Sequence, residues 1–505
     1  MRALVAPLLE HRRLLVPLAL ALLFTYGYFV DAPAWNQNSR LALTRALVET
    51  QSVAIDPYHA TTGDKSKRGD HFYCDKAPGV SVLSAVPYAV LYATRKASGG
   101  ELPQVRVIPL DPREAAAGRS PAVEDRQPGD KLAYNFAHRL ALYLCGLFVV
   151  AIPSVAGAAA VWLLARAQAG GDARIATVAA LTYALATPIF PYATALYGHG
   201  LCAAALVMTL AILVRAKQDG TELRSAHPGL WAGTLLGIAV SAEYPAAVPA
   251  ALLVGLAWIQ LGPRFALQMT LGGLPWALLL AGYHTAAFGH PFKTGYDFVF
   301  LPEFADGMAV RYGIGAPSPH VLHEILFGSY RGLLYLSPVL ILAAWGLMRA
   351  VVRPDRLPRA VPITAACICV FYLMLNAGYY MWDGGASFGP RHVVPMLGPL
   401  ALGLVPAYRA VPRAFVVLAA VSAIAMLLGA VGNPEVPQYG NPLWEFSWGR
   451  LLHGSTGATA GATNLGRLLG LPGPLSLVPL GVLWWWAWPR ADDADETRQA
   501  NDPPR

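Results

Sequence analysis

The sequence predicts an all-α polytopic membrane protein, and its composition leads to that fold class in three ways. Of the 505 residues, 55% are hydrophobic and only 13% are charged, whereas a soluble globular chain carries roughly 25% charged residues. The mean hydropathy is +0.43. The 48 Gly and 41 Pro residues also suit transmembrane helices, which tolerate both better than soluble helices do. The apolar content excludes a disordered chain, and five Cys residues are too few for a disulfide-stapled scaffold.

The surplus of basic residues points to a membrane rather than to a nucleic acid. The net charge is +8, but Lys and Arg stand mostly between apolar runs, where they orient spans and meet lipid phosphate. We therefore expect membrane lipid as a partner and no nucleic acid.

About twelve apolar segments are predicted to cross the membrane, since a span needs roughly 20 apolar residues at 1.5 Å each. They are 14–30, 140–165, 174–195, 199–215, 228–242, 245–261, 265–287, 332–349, 360–379, 391–408, 413–432 and 471–489. The run 79–94 is also apolar, but it is short and Pro87 interrupts it. A full crossing there would also place the later basic clusters outside, so we predict a juxtamembrane or re-entrant helix.

Basic residues predict the orientation of these spans. With the amino terminus inside, every short inside loop contains Arg or Lys, and the outer loops after 195, 243 and 379 have almost none until Arg391. Both termini are then cytoplasmic. The predicted parts are one transmembrane domain over 1–489, long outer loops at 31–139, 288–331 and 433–470, and a disordered cytoplasmic tail at 490–505.

The first outer loop is dense in carboxylates and cations. Its candidate catalytic residues are Asp31, Asp56, Asp64 and Asp75. A carboxylate at the membrane surface can act as general base for a hydroxyl or amine, and neighbouring Lys or Arg can neutralise a departing phosphate. A solvated charged loop would have the same composition, but the order of the residues favours a functional loop.

Further candidates stand at the outer ends of later spans. Glu243 lies between two apolar segments, where a carboxylate is costly unless it faces a cavity or a partner. His199 can bind phosphate or exchange a proton, and the forked side chains of Arg331 and Arg391 suit phosphate. The structural alternatives are a helix-end carboxylate, a membrane-edge histidine, snorkelling arginines and, for Trp382, an interfacial aromatic instead of a sugar-stacking one.

Taken in order, these features resemble the GT-C glycosyltransferases, which use polyprenyl-phosphate sugars. An acid after the first span, an amphipathic loop helix and the step Asp75-Lys76-Ala77-Pro78 before an apolar helix are similar to protein O-mannosyltransferases and lipid A aminoarabinose transferases. The segments 283–296, 330–338 and 380–391 resemble a bacterial branch of membrane glycosyltransferases.

The resemblance implies a bacterial inner-membrane enzyme that moves a sugar from a polyprenyl-phosphate donor to an extracytoplasmic lipid, glycan or protein. Its active site would face the periplasm, and direct displacement would invert the anomeric centre. The implied donor-phosphate ligands are Lys76, Arg331, Arg391 and His199. The implied substrate-binding residues are Glu243, Tyr296, Trp382 and Asn36.

No cofactor is implied with certainty, and the sequence contains no metal-ligand motif. Some members of the family use a divalent ion, for which Asp64, Asp70, His71 and Asp75 are the available ligands.

One departure from the family pattern concerns the general base. The family has an Asp-Glu pair at the start of the loop helix, and Asn36 and Gln37 occupy those positions here. An amide cannot act as a base, so Asp31 becomes the first candidate by its position and Asp64 the second. Two other functions stay open: a transporter or flippase of a lipid-linked sugar or another amphiphile, which would bind near mid-membrane, and an inactive scaffold with a GT-C-like fold.

Overall fold

The predicted spans coincide with helices of one bundle. The computed structural model describes residues 8–109, 130–219, 227–353, 356–455 and 461–488, so the predicted tail at 490–505 lies outside the described residues. The longer helices are Arg12–Gly27, Trp35–Arg45, Gly79–Ala97, Phe136–Gly146, Ile152–Ala169, Ala173–Leu185, Gly198–Asp219, Pro228–Ala242, Ala247–Leu261, Pro263–Phe288, Val339–Val352, Ala360–Ala377, Pro412–Val431 and Val478–Ala487. Shorter helices are Ile189–Ala193, Pro302–Met308, Pro319–Phe327, Leu333–Leu336, Leu397–Leu400, Leu404–Ala410, Trp448–His453 and Leu465–Leu468.

Seven helical segments among the described residues are long and apolar enough to cross a membrane. They are Phe136–Ala169, Gly198–Gln218, Tyr244–Leu261, Pro263–Phe288, Ala360–Ala377, Arg391–Ala410 and Pro412–Val431. Three shorter apolar helices, Ala173–Leu185, Pro228–Ala242 and Val339–Val352, coincide with further predicted spans. The helical membrane fold is thus as predicted. The helix Gly79–Ala97, which we predicted not to cross, is not among the seven.

Small residues allow the helices to pack closely. Between Pro228–Ala242 and Pro263–Phe288, a Cβ on Gly233 would overlap the carbonyl of Met269, and a Cβ on Gly272 would overlap the carbonyl of Leu230. Helices in lipid gain stability from such close backbone approach, because the surrounding lipid is as apolar as the side chains.

The sequence prediction did not include strands, and the structure contains three two-stranded antiparallel sheets within the described residues. They pair Phe29–Val30 with Thr463–Asn464, Lys65–Arg68 with His71–Cys74, and Val105–Pro109 with Asp130–Tyr134. The second pair is called the hairpin below. It turns at Gly69, whose φ of 60° suits a residue without a side chain.

The loop helix Trp35–Arg45 was predicted to be amphipathic, but it is buried on all sides. Every residue from Asn36 to Arg45 is buried. The helix packs against Gly79–Ala97. Across this contact the Thr44 hydroxyl donates a hydrogen bond of 3.1 Å to the Ser81 carbonyl. Its polar side chains therefore face other parts of the protein. The polar face, which would contact water in an amphipathic surface helix, contributes to the cavity described below.

Candidate active site

A cavity lies where the first outer loop meets the ends of the membrane helices. The polar side chains that line it are Asn36, Arg40, Asp64, Asp75, Lys76, His199, Glu243, Tyr296, Tyr379, Tyr380, Arg391 and His392. Val299, Phe304 and Met308 form an apolar part of the wall. Eight of the twelve site residues predicted from the sequence are in this lining, and Asp31, Asp56, Arg331 and Trp382 are not.

The centre of the polar lining is an ion cluster of Asp64, Asp75 and Lys76, called the lysine triad below. Lys76 Nζ lies 2.9 Å from Asp64 Oδ2 and 2.9 Å from Asp75 Oδ2. The hairpin explains the proximity of the two carboxylates. Lys65 pairs with Cys74 at its open end, so Asp64 and Asp75, the next residue outward on each strand, stand opposite one another.

The electrostatics of the lysine triad keep Lys76 charged. Burial alone would lower the pKa of the Lys76 ammonium, but Asp64 and Asp75 outweigh it and raise that pKa. Burial raises the pKa of Asp75, while Lys76 and a hydrogen bond of 3.3 Å from the Ser39 hydroxyl oppose the rise. Asp75 is thus held by two donors, whereas Asp64, whose side chain is 17% exposed, is the carboxylate of the triad that is more open to the cavity.

Arg391 contributes a second cation to the cavity. It follows a glycine-rich turn in which Gly384 has a φ of 74°. A Cβ at Gly384 would lie 3.0 Å from Cγ of Arg391, so the glycine leaves room for the arginine to pass. Its guanidinium carbon lies 5.7 Å from the centre of the Tyr197 ring, and its Nε has no hydrogen-bond partner among the described residues. The buried Nε therefore has an unused donor.

Glu243 and Arg40 form a second ion pair in the same lining. Arg40 Nη2 lies 3.1 Å from Glu243 Oε1, and Arg40 Nε donates to Asn36 Oδ1 at 3.1 Å. His199 Nδ1 is 3.5 Å from the same Glu243 oxygen. Burial raises the pKa of Glu243, and Arg40 opposes the rise. Glu243 thus has the partner that a carboxylate at the end of an apolar helix requires, and Asn36 helps to orient that partner.

The lining residues that were not identified as site residues from the sequence include Arg40, His392 and Tyr379. The ring of His392 lies 5.7 Å from that of His199 and 5.2 Å from that of Tyr379. Arg40 lies four residues after Asn36, which is the spacing of neighbours on one helix face, and this was the available signal. His392 gave no signal beyond its adjacency to Arg391.

Tyr296, which was predicted, supplies a hydroxyl to the cavity. Burial raises its pKa to about 12, against the opposing charge of Lys76. The side chain therefore remains a neutral hydrogen-bond donor over the physiological range of pH.

Asp31, the first candidate for the base, is not in the cavity lining. It accepts a hydrogen bond of 3.3 Å from the Thr194 hydroxyl. Burial raises its pKa to about 8, the Thr194 bond opposes the rise, and nearby Glu435 adds to it. Burial also raises the pKa of Glu435, to about 7, although the Tyr197 hydroxyl donates to it. Of the two candidates for the base, Asp64 lies in the cavity lining and Asp31 does not.

The raised pKa of Asp31 predicts a pH-dependent stability difference. Between about pH 4 and pH 8 the folded protein keeps this proton while the unfolded chain releases it, so the wild type loses stability as the pH rises. Asn cannot ionise. We expect the unfolding temperature of Asp31→Asn, relative to wild type, to increase by roughly 2 °C or more between pH 5 and pH 8. Asp70→Asn, on the exposed turn of the hairpin, is the control, and a pH-independent difference would contradict the burial argument.

The other three predicted residues outside the lining have local structural partners. Asp56 Oδ2 is 2.7 Å from His71 Nδ1, and its Oδ1 accepts from the Phe72 amide at 2.7 Å. Arg331 is fully buried and donates to the carbonyls of Asp383 and Gly385 at 3.0 and 2.8 Å.

The ring of Trp382 meets that of Tyr330 edge-on at 6.4 Å. Asp56 thus ties the hairpin to the chain before it, and Arg331 supports the turn that precedes Arg391. The predicted roles of Asp56, Arg331 and Trp382 in catalysis or binding are not supported by these positions.

The residues considered as metal ligands do not fit a divalent ion. Asp64 and Asp75 face the cavity, but the Lys76 ammonium occupies the position between them that a cation would take. Asp70 is exposed at the turn, and His71 is paired with Asp56. Among the described residues no group of three or more His, Cys, Asp or Glu side chains is arranged to hold a metal.

The chain has similarity to several solved structures. The apo structure of ArnT from Cupriavidus metallidurans has 18% sequence identity and a TM-score of 0.46, over 80% of this chain and 61% of ArnT. ArnT bound to undecaprenyl phosphate has 16% identity and a TM-score of 0.46, over 79% of this chain and 60% of that one. The oligosaccharyltransferase AglB from Archaeoglobus fulgidus, in complex with an inhibitory peptide and a dolichol-phosphate, has 13% identity and a TM-score of 0.44, over 85% and 56%.

The chain spans about three fifths of the length of these structures. ArnT is among these similar structures, and the sequence had pointed to a resemblance to the lipid A aminoarabinose transferases. No protein-family model matches the chain, and no curated protein sequence does.

Proposed function

We infer that the protein is a membrane glycosyltransferase that takes a hexose or pentose from a polyprenyl-phosphate donor. The observation that carries this proposal is the meeting of the lysine triad with Arg391 in one cavity beside an apolar wall. Two cations suit a phosphate ester, a carboxylate suits the acceptor, and the wall formed by Val299, Phe304 and Met308 suits the lipid part of the donor. The motif Asp75-Lys76-Ala77-Pro78, which resembles the family's, supports the donor class.

In the proposed reaction, Asp64 accepts the proton of the acceptor hydroxyl while the oxygen attacks the anomeric carbon. The bond from that carbon to the phosphate oxygen breaks, its electron pair stays with the phosphate, and polyprenyl phosphate leaves. Lys76 and Arg391 neutralise the charge that develops on the phosphate, and aimed cations of this kind are a large source of rate acceleration. A single displacement inverts the anomeric centre. Asp75 positions Lys76, and Glu243 with Arg40 shapes the side where we expect the sugar.

The orientation in the membrane is part of the proposal. We expect about twelve spans within one domain over 1–489, both termini in the cytoplasm, and the loops 31–139, 288–331 and 433–470 on the periplasmic face of an inner membrane. The basic inside loops support this orientation. The cavity contains His199 from the first turn of one helix and Arg391 from the start of another segment, which supports a site at the membrane surface. A transporter would favour polar groups at the middle of the spans.

Donor consumption tests the function without knowledge of the acceptor. The purified protein in detergent is incubated with polyprenyl-phosphate hexoses and pentoses and a membrane extract as the source of acceptor, and released polyprenyl phosphate is measured. We expect release from one donor class, none from nucleotide sugars, and an inverted anomer in the product. Movement of intact donor across vesicles without any release would overturn the proposal in favour of a flippase, and binding without turnover in favour of a scaffold.

A further inference from the structure

A second cavity lies among the helix ends far from the candidate active site. Arg166, Arg215 and Gln218 supply its polar lining, and Gly170 and Gly171 form part of its wall. No acidic side chain is among the lining residues, all of which belong to the described part of the chain. The cavity is therefore basic, and it is independent of the proposed transferase site.

The position of this cavity follows from one helix. Gly198–Asp219 carries His199 at its start, in the active-site cavity, and Arg215 near its end. Sixteen residues at 1.5 Å each separate them by about 24 Å, which is most of the thickness of a bilayer core. Arg166 lies in the last turn of Ile152–Ala169. The second cavity is thus at the opposite membrane face.

The carbonyl groups at the end of the helix Ile152–Ala169 have hydrogen-bond partners other than Arg166. Gly170 and Gly171 have φ values of 71° and 95°, and Arg409 donates to the carbonyls of Gln168 and Ala169 at 3.4 and 2.8 Å. The helix carbonyls are therefore satisfied by Arg409, and Arg166 is not needed for capping.

The guanidinium of Arg166 has an unused donor. Its Nε is buried and has no hydrogen-bond partner among the described residues. The guanidinium group of Arg356 lies against Gly170 in the cavity wall, since a Cβ on Gly170 would be 2.7 Å from the guanidinium carbon of Arg356. A buried donor without an acceptor is unfavourable, and an anionic oxygen in the cavity would remove that cost.

We propose that this cavity binds a phosphate group, either the headgroup of an anionic phospholipid or a free phosphate. Guanidinium groups match phosphate oxygens in geometry and in charge, and basic pockets between membrane helices are suited to such headgroups. The positive-inside rule accounts only for basic residues that are exposed near the membrane. It does not account for a cavity in which a buried guanidinium nitrogen has no acceptor.

Two probes distinguish the sources of the phosphate. The full-length protein is placed in nanodiscs of phosphatidylcholine with increasing phosphatidylglycerol, or in detergent with increasing inorganic phosphate, and the midpoint of the rise in unfolding temperature is measured. We expect a saturable rise, and a midpoint roughly tenfold higher in Arg166→Gln. Arg413→Gln removes an equal charge from an exposed position in the first turn of the helix Pro412–Val431, at the same face, and should leave the midpoint unchanged.

Each outcome is decisive. A response to phosphatidylglycerol alone identifies a lipid headgroup, and a response to inorganic phosphate in detergent identifies a free phosphate. Equal losses in Arg166→Gln and Arg413→Gln, or no response to either probe, would overturn the proposal. If Arg166→Gln does not fold, Arg166→Lys keeps the charge but loses the fork, and its midpoint should still exceed that of Arg413→Gln.

Discussion

Replacing Lys76 with alanine is expected to reduce sugar transfer by roughly 100- to 1,000-fold, the size of effect found when one aimed stabiliser of developing charge is removed. Lys76 is the ammonium that lies 2.9 Å from both Asp64 and Asp75. Without it, two carboxylates would face the donor phosphate across the hairpin, and like charges would repel the donor as well as the leaving group. Both the binding of donor and the turnover should therefore fall.

Lys67 provides the matched control for this change. It lies on the same hairpin, but it is exposed and contacts the Phe72 ring at 5.1 Å. Lys67→Ala should change transfer by less than about twofold. Lys76→Arg keeps the charge but replaces a compact ammonium with a planar fork, and we expect intermediate activity. A folded Lys76→Ala protein with wild-type kcat/KM would remove Lys76 from the mechanism.

The helices were predictable because a membrane span leaves a local signal. Each is an apolar run of adequate length, and residues close in sequence determine it. Errors in the boundaries follow from backbone chemistry. The predicted span 174–195 is interrupted before Pro188, and the span 332–349 divides at Pro338, where a new helix begins, because proline cannot donate to the preceding turn.

The hairpin was not predictable from the same kind of signal. Its strands, Lys65–Arg68 and His71–Cys74, are only four residues long. The first is mostly charged and the second has the unbroken run Phe72-Tyr73-Cys74, so neither shows the alternation of apolar and polar residues that marks a strand. The lysine triad depends on the register of this hairpin. The motif around Lys76 was recognisable, but the identity of the carboxylate opposite it was not.

The choice of Asp31 illustrates a further limit of the sequence. Its position directly after the first span indicates closeness to the membrane surface, but it does not indicate the hydrogen bond with Thr194. That contact joins residues 163 positions apart, and the pair Arg40–Glu243 joins residues 203 positions apart. Such contacts arise only when helices distant in sequence pack together, and they decide which acids are ionised.

Asp64→Asn is expected to lower turnover by about 100- to 10,000-fold, the range for loss of a general base. The amide keeps the size of the side chain and can still meet Lys76, so donor binding should change little and the loss should appear in kcat. Asp31→Asn should retain at least half of the wild-type rate at pH 7, since that carboxyl is outside the cavity lining and burial raises its pKa to about 8. The reverse result would return the role of base to Asp31.

An anionic nucleophile can show whether Asp64 acts as a general base or only positions Lys76. Azide carries no proton, so attack by azide on the anomeric carbon needs no base, and Asp64→Asn should form glycosyl azide from the donor at a rate well above its normal transfer. Lys76→Ala should gain nothing from azide, because departure of the phosphate remains slow. If azide restores neither variant, Asp64 acts through Lys76 rather than on the acceptor, and the two residues form one phosphate-binding unit.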